Sequence, residues 1–345
     1  MNKTIGINKY CGAIHIHTVN SDGTGNVRDI VNAAKRSGLS WIIITDHNCF
    51  DGEEGYIDGV LVIKGEEISP GCGNHYIALG INKYIEPSDN CLENINFVRE
   101  NGGFGFAAHP DESETRKNEH KPLRWSDKNN IPDGVEIWNW FSQWADNYNS
   151  ENIFGIIYSY IFKNNLVKSP DIDTIKWWDS MNNSSCKIVP AIGGIDAHAM
   201  KIRKYIIPVT IFPYNFMLNT IVNEVYLRSS LSKDFDIAKA QILNALKNGN
   251  NVIANKSVSE NIPEIYISNS NTFAICGESL YKDENTFLNI ESSFASNIKI
   301  FKDGAEIAEI KAKSYKFKLS QAGRYRVQFE INRRGFAYSN PIIVK

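Results

Sequence analysis

Histidine is scarce in this 345-residue chain, with seven in all. No Lys/Arg-rich stripe accompanies the formal net charge of −2, so the sequence offers no basic face for nucleic acid. No apolar run approaches the roughly 20 residues of a membrane-spanning helix. The most apolar stretch, IFGIIYSYIF at 153–162, is too short to span a bilayer. The first residues carry neither an apolar h-region nor a small-residue cleavage site, so no secretory signal is expected and a cytoplasmic location follows. Six cysteines (Cys11, Cys49, Cys72, Cys91, Cys186, Cys276) never fall into C-x-x-C spacing and read as free thiols in a reducing compartment. There is no internal repeat. There is also no G-x-G-x-x-G or Walker spacing, so GGFGFAA reads as glycines that let backbones approach rather than as a phosphate loop. What remains is an ordinary globular composition, 42% hydrophobic and 22% charged.

Two textures divide the chain. Residues 1–255 alternate apolar strand runs with helical runs: CGAIHIH (11–17), WIIITDH (41–47), VLVIKGEEI (60–68), HYIALGI (75–81), GFGFAAHP (103–110), GVEIWNW (134–140) and KIVPAIGGIDAH (187–198) as strands, with helices at 26–39, 90–101, 172–182 and 237–249. That alternation predicts an α/β architecture with a parallel sheet. Residues 256–345 hold only short period-2 segments at about ten-residue spacing, with Asp303-Gly304 as a hairpin turn, and predict an all-β, Ig-like sandwich.

Six of the seven histidines stand at or beside strand ends of the first region, in the company of carboxylates: His15-x-His17, Asp46-His47, Glu67, His75, His109-Pro110 and Asp196-x-His198. Imidazole and carboxylate are ligands for zinc, manganese and iron, and strand tips converge at the carboxyl face of a barrel. His15 and His17, two apart on a strand, are expected to share a face, as are Asp196 and His198. Asp46 and His47 are adjacent and must diverge, one to ligate and the other to hydrogen-bond behind it. Glu67 could bridge two ions, His75 and His109 could complete a second shell, and Asp22 in SDGTG could reach a third. Glu66 is the alternative to Glu67. A single histidine at a strand end is more often a hydrogen-bonded core or surface residue; the whole set in this order argues for metal. His120 lies in a polar stretch and reads as a loop residue.

HIHTVNSDGTG, ITDHN, GEEIS, HYIALGI, AAHP and GGIDAH, in this order, resemble the successive motifs of the PHP (polymerase and histidinol phosphatase) superfamily. The tail GRYRVQFEINRRGFAYSNPIIV, with IKWWDSMN ahead of GGIDAH, is similar to a carbaryl-hydrolase-like branch with a C-terminal β-domain. The resemblance covers nearly the whole chain. It implies a distorted seven-stranded β/α barrel over 1–255, with a β-sandwich at 256–345. It also implies two or three divalent ions (Zn, Mn or Fe). His15, His17, Glu67 and Asp196 would hold the first; Glu67, which fits the family's G-x-E-I pattern, with His75 and His109 the second; and Asp22, His47 and His198 the third. Some relatives carry histidine at the position of Asp22.

The expected activity is hydrolysis: ions a few ångströms apart supply hydroxide from a bridging water and offset transition-state charge. Asp46, Asp196 and His198 are the candidate proton-handling residues. A phosphoesterase acting on a small phosphorylated metabolite or nucleotide is the leading expectation. Carbamate, amide or carboxylic ester hydrolysis is the alternative, and a non-catalytic metal-binding module the third. Arg116, Lys117, Arg124 and Arg203 follow ligand segments and read first as solvated charge. For an anionic substrate, Arg203, Arg116 and Lys117 would be its recognition groups. The aromatic insertion at 141–162 reads as packing surface for the β-domain, which could also form an oligomer interface.

Overall fold

The computed structural model of the protein describes residues 6–112, 123–148, 153–202 and 209–345. The strands that frame the site begin with β1 (Asn8–Ala13), β2 (Trp41–Ile44), β3 (Gly55–Ile57), β4 (Val60–Lys64) and β5 (Glu66–Ile68). They continue with β6 (Tyr76–Leu79), β7 (Phe104–Ala107), β8 (Gly134–Asn139) and β9 (Ala191–Gly194). The short strands β10 (Lys201–Ile202) and β11 (Val209–Thr210) pair with each other; β12 (Ile221–Leu227) and β13 (Asn251–Asn255) follow.

Helices form where the apolar period placed them, and their ends carry local signals. Helix Val27–Arg36 opens on a capping box, in which the Asn26 side chain accepts the Asp29 N–H while the Asp29 carboxylate accepts the Asn26 N–H. Helix Phe235–Asn248 starts behind Asp234, which accepts the Ile237 N–H, and stops at Gly249, whose φ of 74° is the left-handed turn that suits glycine. Helices Cys91–Glu100 and Ile172–Ser184 complete the expected set.

The fold is mixed α/β with a large sheet-rich portion, and its strands form open sheets instead of one closed barrel. One sheet runs β3-β4-β2-β1-β12-β13 and continues into the C-terminal strands as a 14-stranded assembly. The second runs β5-β6-β7-β8-β9. Among β1 to β13, the steps β1-β2-β4 and β7-β8-β9 are parallel; the steps β1-β12, β12-β13, β5-β6 and β6-β7 are antiparallel. The two sheets meet at isolated bridges, Ile16 with Ala197 and His47 with Glu67. The reason is local: His15 has φ 68° and Asp196 φ 52°, so β1 and β9 leave the extended conformation before a ladder can propagate between them.

VLVIKGEEI, expected as one strand, breaks at Gly65 into β4 of the first sheet and β5 of the second. A Cβ at Gly65 would lie 2.7 Å from the Ala78 carbonyl oxygen, so only glycine lets the chain pass there. Between the sheets Trp41, Ile43, Leu61, Ile63, Ile77 and Phe106 pack into one buried cluster beneath the histidines.

From Glu264 to Val344 the described chain is strands without helix. The Asp303-Gly304 turn, φ 49° and 81°, joins the long antiparallel strands Phe287–Lys302 and Ala305–Lys318 as the sequence predicts. Strand Arg334–Ser339 pairs with β13, so backbone hydrogen bonding is continuous across residue 256. No disulfide joins any of the six cysteines, all of which lie among the described residues. Among the described residues no helix is long and apolar enough to cross a membrane.

Candidate metal centre

Glu67 sits at the middle of the site and is fully buried. Its Oε1 lies 2.7 Å from His75 Nδ1 and 3.1 Å from His109 Nε2. Its Oε2 lies 3.0 Å from His47 Nδ1, 3.1 Å from His15 Nε2 and 3.3 Å from His17 Nε2. Break of the strand at Gly65 is what delivers this carboxylate to the seam. Glu66 points elsewhere and accepts the Ile85 backbone N–H at 3.0 Å, burial pushing its carboxyl up to about 7.

A second carboxylate, Asp196, places Oδ1 3.2 Å from His17 Nε2, 3.5 Å from His198 Nδ1 and 3.6 Å from His15 Nε2. Asp22 stands at the mouth, more than half exposed, 3.1 Å from His198 Nε2 and 3.7 Å from both His17 Nδ1 and His47 Nε2. The ligand atoms thus gather in overlapping groups, all within 4.8 Å in each: His17-Asp22-His47-His198, His15-Glu67-His109, His15-His17-Asp196 and His47-Glu67-His75.

The alternation argument for His15 and His17 does not describe how they meet. β1 ends at Ala13, and His15 takes a left-handed φ. Asp196 and His109 do the same with φ 52° and 28°. Non-glycine residues held there cost about 1–3 kcal/mol each and persist where the surroundings impose them, often at functional sites. The rings of His15 and His17 end 5.2 Å apart, tilted by 52°.

Asp46 turns away from the imidazoles. Its carboxylate accepts the Thr18 N–H at 2.6 Å, the Thr18 hydroxyl at 2.7 Å and the Ser21 hydroxyl at 2.5 Å, bracing the loop that carries Asp22. His47 Nδ1 lies 2.6 Å from Ser69 Oγ. Arg116, Lys117, Arg203 and His120 lie outside the described residues.

The charge states follow from burial and proximity. Burial, with His198 and His47 facing it, lowers His17 to about 3. Burial opposes charge on His109 and His198, but Glu67 and Glu112 for the first, and Asp196 and Asp22 for the second, raise both to about 9. Burial also opposes the Glu67 carboxylate, yet His47, His15 and His75 hold it well below the usual range. Asp22 is lowered to about 2, burial being outweighed by its hydrogen bond to His198.

The donor set fits divalent metal. His15 Nε2, both nitrogens of His17, His109 Nδ1 and Glu67 Oε2 are buried without a hydrogen-bond partner, although carboxylate and imidazole atoms stand close by. Imidazole nitrogens and carboxylate oxygens crowded together in a buried interior without hydrogen-bond partners are costly unless a cation lies between them. Imidazole nitrogen with carboxylate oxygen is the ligand chemistry of zinc, manganese and iron.

Above the ligands is a cleft of about 370 Å³ whose lining includes Asp22, His198, Glu112, Leu123, Phe141 and Met200. Phe141 belongs to the aromatic insertion expected to pack against the β-domain, and its ring lies 5.7 Å from His198. Trp144 of the same insertion is buried against Phe212, which belongs to the first region and not to the β-domain. A larger depression of about 770 Å³, around Tyr10, Tyr56 and Lys233, holds none of these ligands.

Sequence reasoning passed over Glu136. It is fully buried in β8, 2.7 Å from His15 Nδ1 and from the His109 backbone N. An acid inside GVEIWNW, a run otherwise apolar enough for a strand buried on both faces, was the available signal.

The sequence model of the PHP domain family matches residues 13–199, a span that contains every ligand named above. An uncharacterized protein of Methanocaldococcus jannaschii, MJ1587, is 33% identical over 113 residues, covering 28% of this chain. This chain spans 66% of that relative's length, just under two thirds. A two-domain protein from Bacteroides vulgatus, containing a predicted PHP-like metal-dependent phosphoesterase, superposes over 98% of this chain and 96% of its own, at 15% identity and TM-score 0.50.

Proposed function

Because the chain belongs to the PHP domain family, we propose that it is a metal-dependent phosphoesterase that releases phosphate from a small phosphorylated metabolite or nucleotide. The observation that carries this is the convergence of Glu67, Asp196, Asp22 and six imidazoles in overlapping groups, with Asp22, His47, His109, Asp196 and His198 lining one cleft. His15, His17, Glu67 and Asp196 would hold one ion, Glu67, His75 and His109 a second, and Asp22, His47 and His198 a third. Bound there, divalent ions supply an acidified water and offset charge on the phosphoryl group. The chain's own residues do the remaining work. With the third ion absent, Asp22 and His198, 3.1 Å apart at the mouth, can hold and pass a proton toward a leaving group. Asp46 keeps their loop in place through Thr18 and Ser21. Leu123, Phe141 and Met200 supply the apolar part of the cleft lining, against which a substrate's apolar portion would rest.

A second reading, hydrolysis of a neutral carbamate or ester in keeping with the carbaryl-hydrolase-like branch, is favoured by one feature. Among the described residues the cleft lining contains no lysine or arginine. Arg203, Arg116 and Lys117 are the cations that the phosphoester reading calls on.

The test is turnover of an aryl phosphate, an aryl acetate and an aryl carbamate by protein loaded with Mn²⁺ or Zn²⁺, beside the His15→Ala/His17→Ala variant. Phosphate release that needs metal and disappears in the variant is expected. Arg203→Ala should raise KM for the phosphate roughly 10-fold or more, as loss of a charge-assisted hydrogen bond would. Turnover of acetate or carbamate alone would replace the proposal with the second reading.

A further inference from the structure

Glu136 is fully buried and accepts three hydrogen bonds. Oε1 lies 2.7 Å from His15 Nδ1. Oε2 accepts the His109 backbone N–H at 2.7 Å and the Asn139 side-chain amide at 3.0 Å. The far nitrogen of the same imidazole, His15 Nε2, is one of the buried atoms without a hydrogen-bond partner and lies 3.1 Å from Glu67 Oε2. Room for the carboxylate is made by Gly194. A Cβ built at Gly194 would fall 1.6 Å from Glu136 Oε1 and 3.0 Å from His15 Cβ. This accounts for the second glycine of GGIDAH, whose need neither φ nor the turn explains.

We propose that Glu136 is the positioning residue of the metal centre: it keeps the proton of His15 on Nδ1, so that Nε2 is presented as a bare lone pair toward the ion. Its other oxygen ties that imidazole to the backbone of His109, so two ligands from different strands are set by one buried carboxylate. A ligand imidazole whose second nitrogen donates to a carboxylate has its tautomer and orientation fixed and its basicity raised. Gly194 is part of the same device, since any side chain there displaces the carboxylate.

Glu136→Gln separates this role from mere packing. The His109 N–H cannot reverse its polarity, so the glutamine oxygen stays with it and the amide NH₂ is left facing His15. The imidazole must then expose a bare Nδ1 and carry its proton on Nε2, the nitrogen the ion needs. The variant should therefore keep its circular dichroism and the thermal transition of the metal-free protein, yet bind Zn²⁺ about 10–100-fold more weakly in competition with a chromophoric chelator. Gly194→Ala should reproduce the loss with Glu136 intact. A folded Glu136→Gln protein with unchanged Zn²⁺ affinity overturns the proposal. Should that variant fail to fold, the ¹⁵N imidazole spectrum of zinc-loaded native protein decides, using His15→Ala for assignment. A proton on His15 Nδ1 with zinc on Nε2 is expected, and the reverse arrangement overturns it. The inference rests on metal binding alone. Zinc titration needs no turnover, so the proposal can fail while the phosphoesterase reading stands, and the converse also holds.

Discussion

His109 and His198 are held near pKa 9 by the carboxylates around them. In metal-free protein at pH 7 both imidazoles therefore keep a proton that an incoming cation must displace. As pH rises through about 9 those protons leave and the competition ends, so apparent metal affinity should climb between pH 7 and 9. Calorimetric titration with Zn²⁺ at pH 7.5, in buffers of different ionisation enthalpy, should show at least one proton released per site. Heats independent of the buffer would contradict this assignment. Most of these residues were legible in the sequence because the ligands carry chemistry of their own, and scarce histidines beside acids stand out. Glu136 was not, because a carboxylate serving another side chain has no spacing rule. Asp46 was visible, but its partners, Thr18 and Ser21, are close only after the chain folds.

Elements were readable where their signals are local. The Asn26 capping box, the Gly249 stop and the Asp303-Gly304 turn each reside in a few consecutive residues. The division of VLVIKGEEI at Gly65 depends on the Ala78 carbonyl, which no local pattern reveals. A further non-local tie joins helix Ile172–Ser184 to the C-terminal strands. Arg326 is 3% exposed, donates from Nε and Nη2 to both Asp179 oxygens, at 2.7 and 2.6 Å, and stacks 3.9 Å from the Phe301 ring centroid. Removing one member of a buried pair leaves the other charge uncompensated. Arg326→Ala is expected to lower stability by about 3–5 kcal/mol, measured by urea unfolding, whereas a double change of Arg326 and Asp179 to apolar residues recovers much of it.

For the whole molecule, the change of texture at residue 256 marks a change of secondary structure without marking an end to hydrogen bonding. β13 pairs with β12 on one side and with Arg334–Ser339 on the other. Cutting the chain after residue 255 would leave β13 as a bare edge beside apolar residues such as Ile253 and Val252, and unprotected edges recruit other chains. Residues 1–255 expressed alone should therefore sediment as aggregates, whereas a self-sufficient first unit would remain monomeric and bind metal. Sheet order of this kind was hidden from the sequence because strand pairing across eighty residues leaves no periodic trace.

The seam between the two sheets gives the ligand cluster a mechanical meaning. His15, His17 and His47 extend from the first sheet, Glu67 and Asp196 from the second, and the Ile16–Ala197 and His47–Glu67 bridges and the His15–Glu136 hydrogen bond are among the ties that span the gap there. A cation gripped from both sides acts as a rivet, so loading and cohesion become one equilibrium. Chelation should then quicken amide exchange at His17, Glu67 and Ala197, whose N–H groups donate across the seam, while the packed centre of β1 and β2 exchanges as slowly as before. The protein would sense metal supply through how readily its own interior breathes.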